Sequence, residues 1–175
     1  RHAEAHKYLN QLFENRQVEK TYLGLVHGVP APTSGTINVA IAEHSAKNGT
    51  MVAHARGKSA ITHYQVLEAF GKYSWLQFGS ETGRTHEIRV DGKYMGHPIV
   101  ADAMYSDGKG VFLSDFKKKM HIGKFTDEEK PILSRMALHA SKLSFAQPNG
   151  EIITLEAPLH KDLRALLQQL QKNKK

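Results

Sequence analysis

Short segments of alternating apolar and polar residues, separated by glycine and proline breaks, constrain the fold of this chain most strongly. The first is VEKTYLGLVHG at 18–28, and TINVAI, ITHYQVLEAF and YSWLQFGSE follow it. Alternation of this kind is typical of strands that bury one face. The breaks are VPAPTSG and the turn at Gly71-Lys72, both rich in residues that end strands. We predict an α+β fold with a mixed, mostly antiparallel sheet flanked by helices.

Helical spacing marks both ends of the chain. Apolar residues recur at helical intervals from Ala3 to Phe13, and the tail from Lys161 has four leucines at the spacing of an amphipathic helix. Between them, Pro148-Asn149-Gly150 predicts a hairpin turn. The polar stretch at 43–60 is predicted to be a surface loop, and the one at 106–131 an insertion. With no repeat or linker, 175 residues indicate a single domain, 1–175.

The charge balance narrows the class of partner. Lysine and arginine number 24 against 17 acids, which gives a formal net charge of +7. Such a balance favours nucleic acid or an acidic membrane surface, although a solvated basic surface explains the charge equally well. The chain has no cysteine, which excludes a disulfide framework and a thiolate zinc site and fits the reducing cytoplasm. No apolar run approaches the length of a membrane span.

The stretch ETGRTHEIRVDGKYMGHPIVAD at 81–102 combines dense charge with apolar residues. Thr85 is predicted to cap a helix that runs to about Met95 and stops at Gly96. On that helix His86, Arg89 and Lys93 share one face. A basic face near a helix N-terminus suits an anion, although the pattern alone favours a plain surface helix with a basic stripe.

Several familiar chemistries are missing. The sequence HEIRV is not the H-E-x-x-H zinc motif, and neither G-x-S-x-G nor a phosphate loop occurs. Tyr22 in KTYLGLVHG lies on a predicted strand. Tyrosine in that position more often belongs to the core or the sheet surface than to a platform that stacks on a nucleic-acid base.

Six segments together resemble one family, the RluA-type (ribosomal large subunit) pseudouridine synthases. They occur in the family's order, nearly end to end: EKTYLGLVHG, GKSAITHYQVLE, ETGRTHEIRV, GHPIVADAMY, LHASKLSF and LEAPLHKDL. The resemblance implies an isomerase that flips a uridine out of structured RNA, ribosomal or transfer, and converts it to pseudouridine. It also implies no cofactor, no metal and no membrane, and a role in RNA modification in the cytoplasm.

The resemblance also assigns roles to individual residues. Tyr22 matches the tyrosine that stacks on the target base, and Arg89 matches the arginine that pairs with the catalytic aspartate and keeps it ionised. These two are the expected catalytic residues. Arg84, His86, Lys93 and His97 are the expected RNA-binding residues.

This chain departs from the family pattern in two ways. The H-R-L-D-x-x-T-S-G motif that contains the nucleophilic aspartate is not in these 175 residues, and none of Asp91, Asp102 and Asp107 stands in such a motif. We therefore expect the C-terminal part of a catalytic domain, inactive alone, whose aspartate lies upstream of a chain that begins mid-helix at Arg1. The alternative is a non-catalytic RNA-binding domain with the same fold; a basic domain that binds protein or membrane is a weaker third.

The second departure concerns charge. Glu87 and Asp91 stand where the family usually has glutamine and histidine. We expect both to add negative charge beside a face that approaches RNA.

Overall fold

The computed structural model describes residues 2–14, 17–46, 49–117 and 129–174. These contain three helices: α1 (His2–Glu14), α2 (Glu87–Tyr94) and α3 (Lys161–Lys172). They also contain eight strands: β1 (Glu19–His27), β2 (Ser34–Asn38), β3 (Ile41–Glu43), β4 (Met51–Ala53), β5 (Ile61–Ala69), β6 (Tyr73–Ser80), β7 (Leu138–Ala146) and β8 (Ile152–Glu156). None of these helices has the length and apolar composition to cross a membrane.

The main sheet has six strands in the order β2-β5-β6-β1-β7-β8, and all of its pairings are antiparallel. The predicted turn between β5 and β6 is present, with Gly71 at a φ of 80° that favours glycine. The predicted hairpin of β7 and β8 is also present. The α+β prediction is confirmed, and the central position of β1 places Tyr22 in the middle of the sheet.

The core lies between the sheet and α3. The leucine stripe predicted for the tail helix is buried, and it packs with Leu25, Leu76 and Phe78, which are fully buried on β1 and β6. Each fully buried side chain of this size contributes roughly 1.5–3 kcal/mol. This packing anchors β1 and β6 in the core, and β1 in turn positions Tyr22.

The stretch at 43–60 is not the predicted surface loop throughout. Its apolar residues at 51–53 form β4, which pairs with β3 in a separate two-stranded sheet. That small sheet packs on α2, and Ile41, Val90 and Tyr105 form a second core cluster there. The prediction failed because three apolar residues among many polar ones give too short a pattern to reveal a strand.

The polar stretch at 106–131, predicted to be an insertion, is attached to the core in its described part. Val111 and Leu133 are buried and form an isolated β-bridge. Residues 118–128 of that stretch lie outside the described residues.

Helix α2 is confirmed but begins later than predicted. It starts at Glu87, and its N-cap is His86 in the left-handed conformation with a φ of 56°, instead of Thr85. His86 makes no side-chain cap; the Glu87 carboxylate accepts the Arg84 backbone N–H instead. At the other end Gly96, with a φ of 83°, follows the C-cap Met95 and stops the helix as predicted.

Candidate active site

Arg89 on α2 forms a two-pronged ion pair with Asp102. The Arg89 Nε donates to Oδ2 of Asp102 at 2.8 Å, and Nη2 donates to Oδ1 at 2.8 Å. The Asp102 side chain is 0% exposed and the Arg89 side chain 18% exposed. This fork geometry is the strongest arrangement available to arginine and a carboxylate, so Arg89 is fixed in one orientation.

Asp102 accepts four hydrogen bonds. Besides Arg89, the backbone N–H groups of Met104 and Tyr105 donate to its Oδ1 at 3.0 and 3.2 Å. Burial alone would raise the pKa of Asp102, but these hydrogen bonds and the Arg89 charge outweigh it and lower the pKa below its usual range. Asp102 is therefore ionised, and because its side chain is 0% exposed it is a structural partner of Arg89 and is not open to a substrate. The sequence analysis did not assign Asp102 this role, although it lies in the GHPIVADAMY segment.

His86 and Arg89 converge on Tyr105. The Tyr105 hydroxyl accepts the Met51 backbone N–H at 2.9 Å and lies 2.7 Å from Nδ1 of His86, while the Arg89 guanidinium lies 4.9 Å from the centre of the Tyr105 ring. Burial and the Arg89 charge lower the pKa of His86, against a smaller opposite effect of Asp102. His86 is consequently neutral near pH 7, and it contacts the hydroxyl of the same tyrosine whose ring lies beside Arg89.

Tyr22 occupies β1 at a β-bulge opposite β7, where the register shifts between Thr21 and Tyr22. Bulges commonly re-aim a side chain beside a functional site. Tyr22 is half-buried and borders an open groove of about 390 Å³ whose other walls are mainly β7 and β8. Burial, reinforced by the nearby Glu87 charge, raises the pKa of Tyr22, so the phenol is neutral at pH 7. Within the described residues no hydrogen bond or ring contact joins Tyr22 to Arg89.

The other residues with expected roles lie in different surroundings. The Arg84 Nε donates to the Ser59 carbonyl at 2.8 Å, and Arg84 lines a groove of about 480 Å³ that also contains Arg56 and Lys58. The sequence analysis missed Arg56 and Lys58, whose proximity to Arg84 depends on the β3–β4 hairpin.

Lys93 and His97 complete the expected set. Lys93 is exposed on α2. Nδ1 of His97 donates to the His27 carbonyl on β1 at 2.8 Å, so its ring fastens the end of α2 to the sheet. The structure therefore brings His86 and Arg89 together, and it places Arg84, Lys93 and His97 outside that group.

Glu87 and Asp91 are buried, with exposures of 3% and 1%. The expectation that they lie beside an RNA-facing surface is wrong, because they occupy the face of α2 that packs on the sheet. Thr62 and Ser80 provide hydroxyl partners there. The strict i, i+4 spacing of the two carboxyl groups was the available signal that they share a face.

Comparison with known proteins identifies the family. The RNA pseudouridylate synthase family model matches residues 1–91. A protein from Chlorobaculum parvum described as an uncharacterized RNA pseudouridine synthase is 41% identical over 94% of this chain and 50% of its own length. Ribosomal large subunit pseudouridine synthase D from Blochmanniella floridana is 36% identical over 96% of this chain and 51% of its own length.

A solved structure agrees with the sequence relatives. Human RNA Pseudouridylate Synthase Domain Containing 4 superposes with a TM-score of 0.69 at 26% identity, and the match covers 96% of this chain and 68% of that one. The chain spans about half the length of the curated relatives that it matches. Sequence, fold and the order of the motifs agree, and the chain belongs to the RNA pseudouridine synthase family.

Proposed function

We propose that this chain is the part of an RluA-type catalytic domain that orients the catalytic carboxylate and receives the target uridine. The whole protein isomerises uridine to pseudouridine in structured RNA, and the nucleophilic aspartate comes from chain outside these 175 residues. The absence of the H-R-L-D-type motif from this sequence and the greater length of the curated relatives support that division.

The Arg89–Asp102 pair is the observation that carries this proposal. A guanidinium has five N–H donors in a rigid fork, and Asp102 receives two of them, one from Nε and one from Nη2. The remaining donors on Nη1 and Nη2 belong to a side chain that is still 18% exposed. Asp102 thus fixes the guanidinium, and the free edge pairs with the catalytic aspartate and keeps it ionised. A plain surface helix would not need a fully buried counter-ion for one arginine.

Tyr22 supplies the surface on which the flipped uracil stacks. Its raised pKa disfavours the phenolate, so the resting side chain is an aromatic platform and not a ready base. The adjacent groove, with its mainly apolar lining, suits a planar base that has left the RNA stack.

The RNA backbone lies along the basic surface. Arg84 contributes with Arg56 and Lys58 in one groove, and Lys93 is exposed on α2. His86 and His97 use Nδ1 for protein partners, so any phosphate contact by either ring is made through Nε2. The substrate is ribosomal or transfer RNA in the cytoplasm, which the cysteine-free sequence favours.

The test uses the longest protein that the gene encodes, with transcribed ribosomal and transfer RNA as substrates. Single-turnover pseudouridine formation by that protein, lost in Arg89→Ala, supports the proposal. RNA binding with no pseudouridine in either RNA contradicts it and identifies the chain as the non-catalytic binding domain. The 175-residue chain assayed alone should bind RNA without turnover.

A further inference from the structure

Two buried carboxyl groups meet at one hydroxyl beneath α2. The Thr62 Oγ1 on β5 lies 2.7 Å from Oε2 of Glu87 and 2.6 Å from Oδ2 of Asp91. Thr62 is 0% exposed, Glu87 3% and Asp91 1%. Because all three side chains are buried, the hydrogen bonds between them depend on the protons that these side chains possess.

The number of hydrogens available to the two contacts of Thr62 determines which groups are protonated. Both distances lie in the range of a good O–H···O hydrogen bond, but a threonine hydroxyl has a single hydrogen to donate. Thr62 therefore donates to one carboxyl group and accepts from the other. The carboxyl group that donates must be protonated, so the pair of acids bears one proton between them.

The surroundings of Glu87 assign that proton to Asp91. Oε1 of Glu87 accepts from the Thr82 hydroxyl at 2.6 Å and from the Arg84 backbone N–H at 2.8 Å. Its Oε2 also accepts from the Ser80 hydroxyl at 2.9 Å. With three donors already directed at its two oxygens, Glu87 is the acceptor in its contact with Thr62, so Asp91 is the group that donates to Thr62.

Asp91 is in the opposite situation. Its Oδ1 is buried and has no hydrogen-bond partner among the described residues, an expensive arrangement for an ionised oxygen. Burial raises the pKa of Asp91 to about 7 against the lowering effect of the Thr62 hydrogen bond, and the Glu87 charge adds to the rise. Geometry and electrostatics agree that below about pH 7 Asp91 is mainly a neutral acid, whose Oδ2 proton points at Thr62.

In the part of the chain that the structure describes, the ion pairs of the strands packed against α2 are made with groups other than Asp91. Helix α2 packs against β4, β5 and β6. β4, Met51–Ala53, has no titratable side chain. On β5, His63 is exposed and pairs with Glu81 at 2.6 Å, pointing away from Asp91. On β6 the nearest polar group is the Ser80 hydroxyl, which donates to Glu87.

Other charged groups lie on or beside α2, among them Lys20 on β1, whose Nζ is beside Gly83 in the loop before the helix. Arg89 is paired with Asp102, and Lys93 is exposed. Burial and the Glu87 charge raise the pKa of Tyr22 on β1, so its phenol is neutral. Ionised Asp91 would oppose the Glu87 carboxyl group across a single hydroxyl.

Helix α2 is attached on both sides. On one side Asp91 and Glu87 bind it to β5 and β6, and on the other side Arg89 binds it to Asp102. The helix is only two turns long, from Glu87 to Tyr94, so a displacement at Asp91 is transmitted to Arg89 two residues earlier.

We infer that Asp91 is a positioning residue. As a neutral carboxylic acid it donates a hydrogen bond to Thr62, and this bond holds α2 against β5. The position of Arg89 relative to Asp102 is thereby set. Ionisation of Asp91 releases α2 and displaces Arg89. The inference about the proton stands on this chain alone; its consequence for turnover rests on the proposed function.

The first experiment measures protonation directly by NMR on the 175-residue chain, from about pH 5 to about pH 9. The Asp91 carboxyl carbon should titrate near pH 7 and not in the ordinary range of aspartate. The Arg89 Nε–Hε signal should shift with the same midpoint, because the guanidinium moves with α2. The Nε–Hε signal of Arg135, which forms the same fork with Asp162 at 2.7–2.8 Å, is the internal control and should not follow that midpoint.

The second experiment uses Asp91→Asn. The amide donates to Thr62 as the neutral acid does but cannot ionise, so the Arg89 shift near pH 7 should disappear. In the longest encoded protein, wild-type single-turnover rate should fall roughly tenfold between about pH 6 and about pH 8, as the neutral fraction of Asp91 falls from about nine-tenths to about one-tenth. The Asp91→Asn rate should change much less over that range.

The outcomes separate the two proposals. An Asp91 carboxyl that titrates in the ordinary aspartate range, or an Arg89 signal that titrates identically in wild type and Asp91→Asn, overturns the inference. If Asp91→Asn fails to fold, the wild-type titration still decides. A shared midpoint near pH 7 in a protein that makes no pseudouridine supports the positioning role while contradicting the proposed function.

Discussion

Removing one partner of the buried Arg89–Asp102 pair should destabilise this protein far more than removing one partner of an exposed pair of the same geometry. Arg135 and Asp162 provide the comparison, since they form the same two-pronged contact at 2.7–2.8 Å. Their side chains are 42% and 33% exposed, whereas those of Arg89 and Asp102 are 18% and 0% exposed. Arg89→Ala and Arg135→Ala therefore remove the same contact from two different environments.

The expected difference follows from desolvation. Removing one partner of a buried pair leaves the other charge uncompensated, at about 3–5 kcal/mol. The Met104 and Tyr105 N–H groups remain on Asp102 in Arg89→Ala, which puts the loss near the lower end, about 3 kcal/mol. In Arg135→Ala water replaces the lost partner, and the loss should be about 1 kcal/mol or less.

Urea unfolding at neutral pH measures both values, with the fluorescence of the single tryptophan, Trp75, as the probe; it is buried on β6. The pKa of Asp102 is lower in the folded protein than in the unfolded protein. Its contribution to stability is therefore complete above the pKa of the unfolded state and is lost as the pH falls through the pKa of the folded state. The gap between wild type and Arg89→Ala should accordingly narrow in acid. Equal losses in the two variants, or a gap that does not change with pH, would refute this reasoning.

Three further predictions concern RNA and packing. Tyr22→Ala in the longest encoded protein should weaken binding of a substrate stem-loop by about 1–3 kcal/mol while Tyr22→Phe keeps it; equal binding by both variants in a fluorescence titration would remove the stacking role. The affinity of the chain for RNA should fall steeply as the salt concentration rises, because the basic residues behind its +7 net charge neutralise phosphates and release the counterions bound to the RNA. An affinity that does not change with salt would contradict a phosphate-binding surface. Gly57→Ala should destabilise by about 1–3 kcal/mol, because the new Cβ would lie 2.3 Å from the Ile41 carbonyl carbon. Gly79→Ala, with open space around its Cβ, is the control in a urea melt and should lose much less.

Strong periodicity made most of the fold predictable. The nine-residue strands β1 and β5, the β7–β8 hairpin and the leucine stripe of α3 all follow from residues close in sequence. The β3–β4 sheet does not, because its three-residue strands are too short to produce a pattern and are stabilised by packing on α2. The start of α2 was also misplaced, since His86 adopts a left-handed conformation that no local rule for histidine predicts.

The roles of Arg89 and Tyr22 stay predictions that rest on the family resemblance, and the contacts around them could not be predicted from the sequence. The motif pointed to Arg89 and Tyr22, yet the partner of Arg89 within the chain is Asp102, thirteen residues away and beyond any helical spacing. The roles of Glu87 and Asp91 depend on Thr62, which is distant in sequence and becomes their neighbour only when β5 packs under α2. Proton sharing of this kind requires distances that a sequence does not contain.

Single-turnover pseudouridine formation tests the central claim most directly. The longest protein that the gene encodes, its Arg89→Ala variant and the 175-residue chain are compared on the same structured RNA, with a thermal melt beside each assay. We expect turnover by the first protein, a large loss in Arg89→Ala even at temperatures where it remains folded, and only partial rescue by Arg89→Lys, because lysine lacks the planar fork. Full turnover in folded Arg89→Ala, or by the 175-residue chain alone, would contradict the assignment of Arg89 as the partner of a catalytic aspartate outside this sequence.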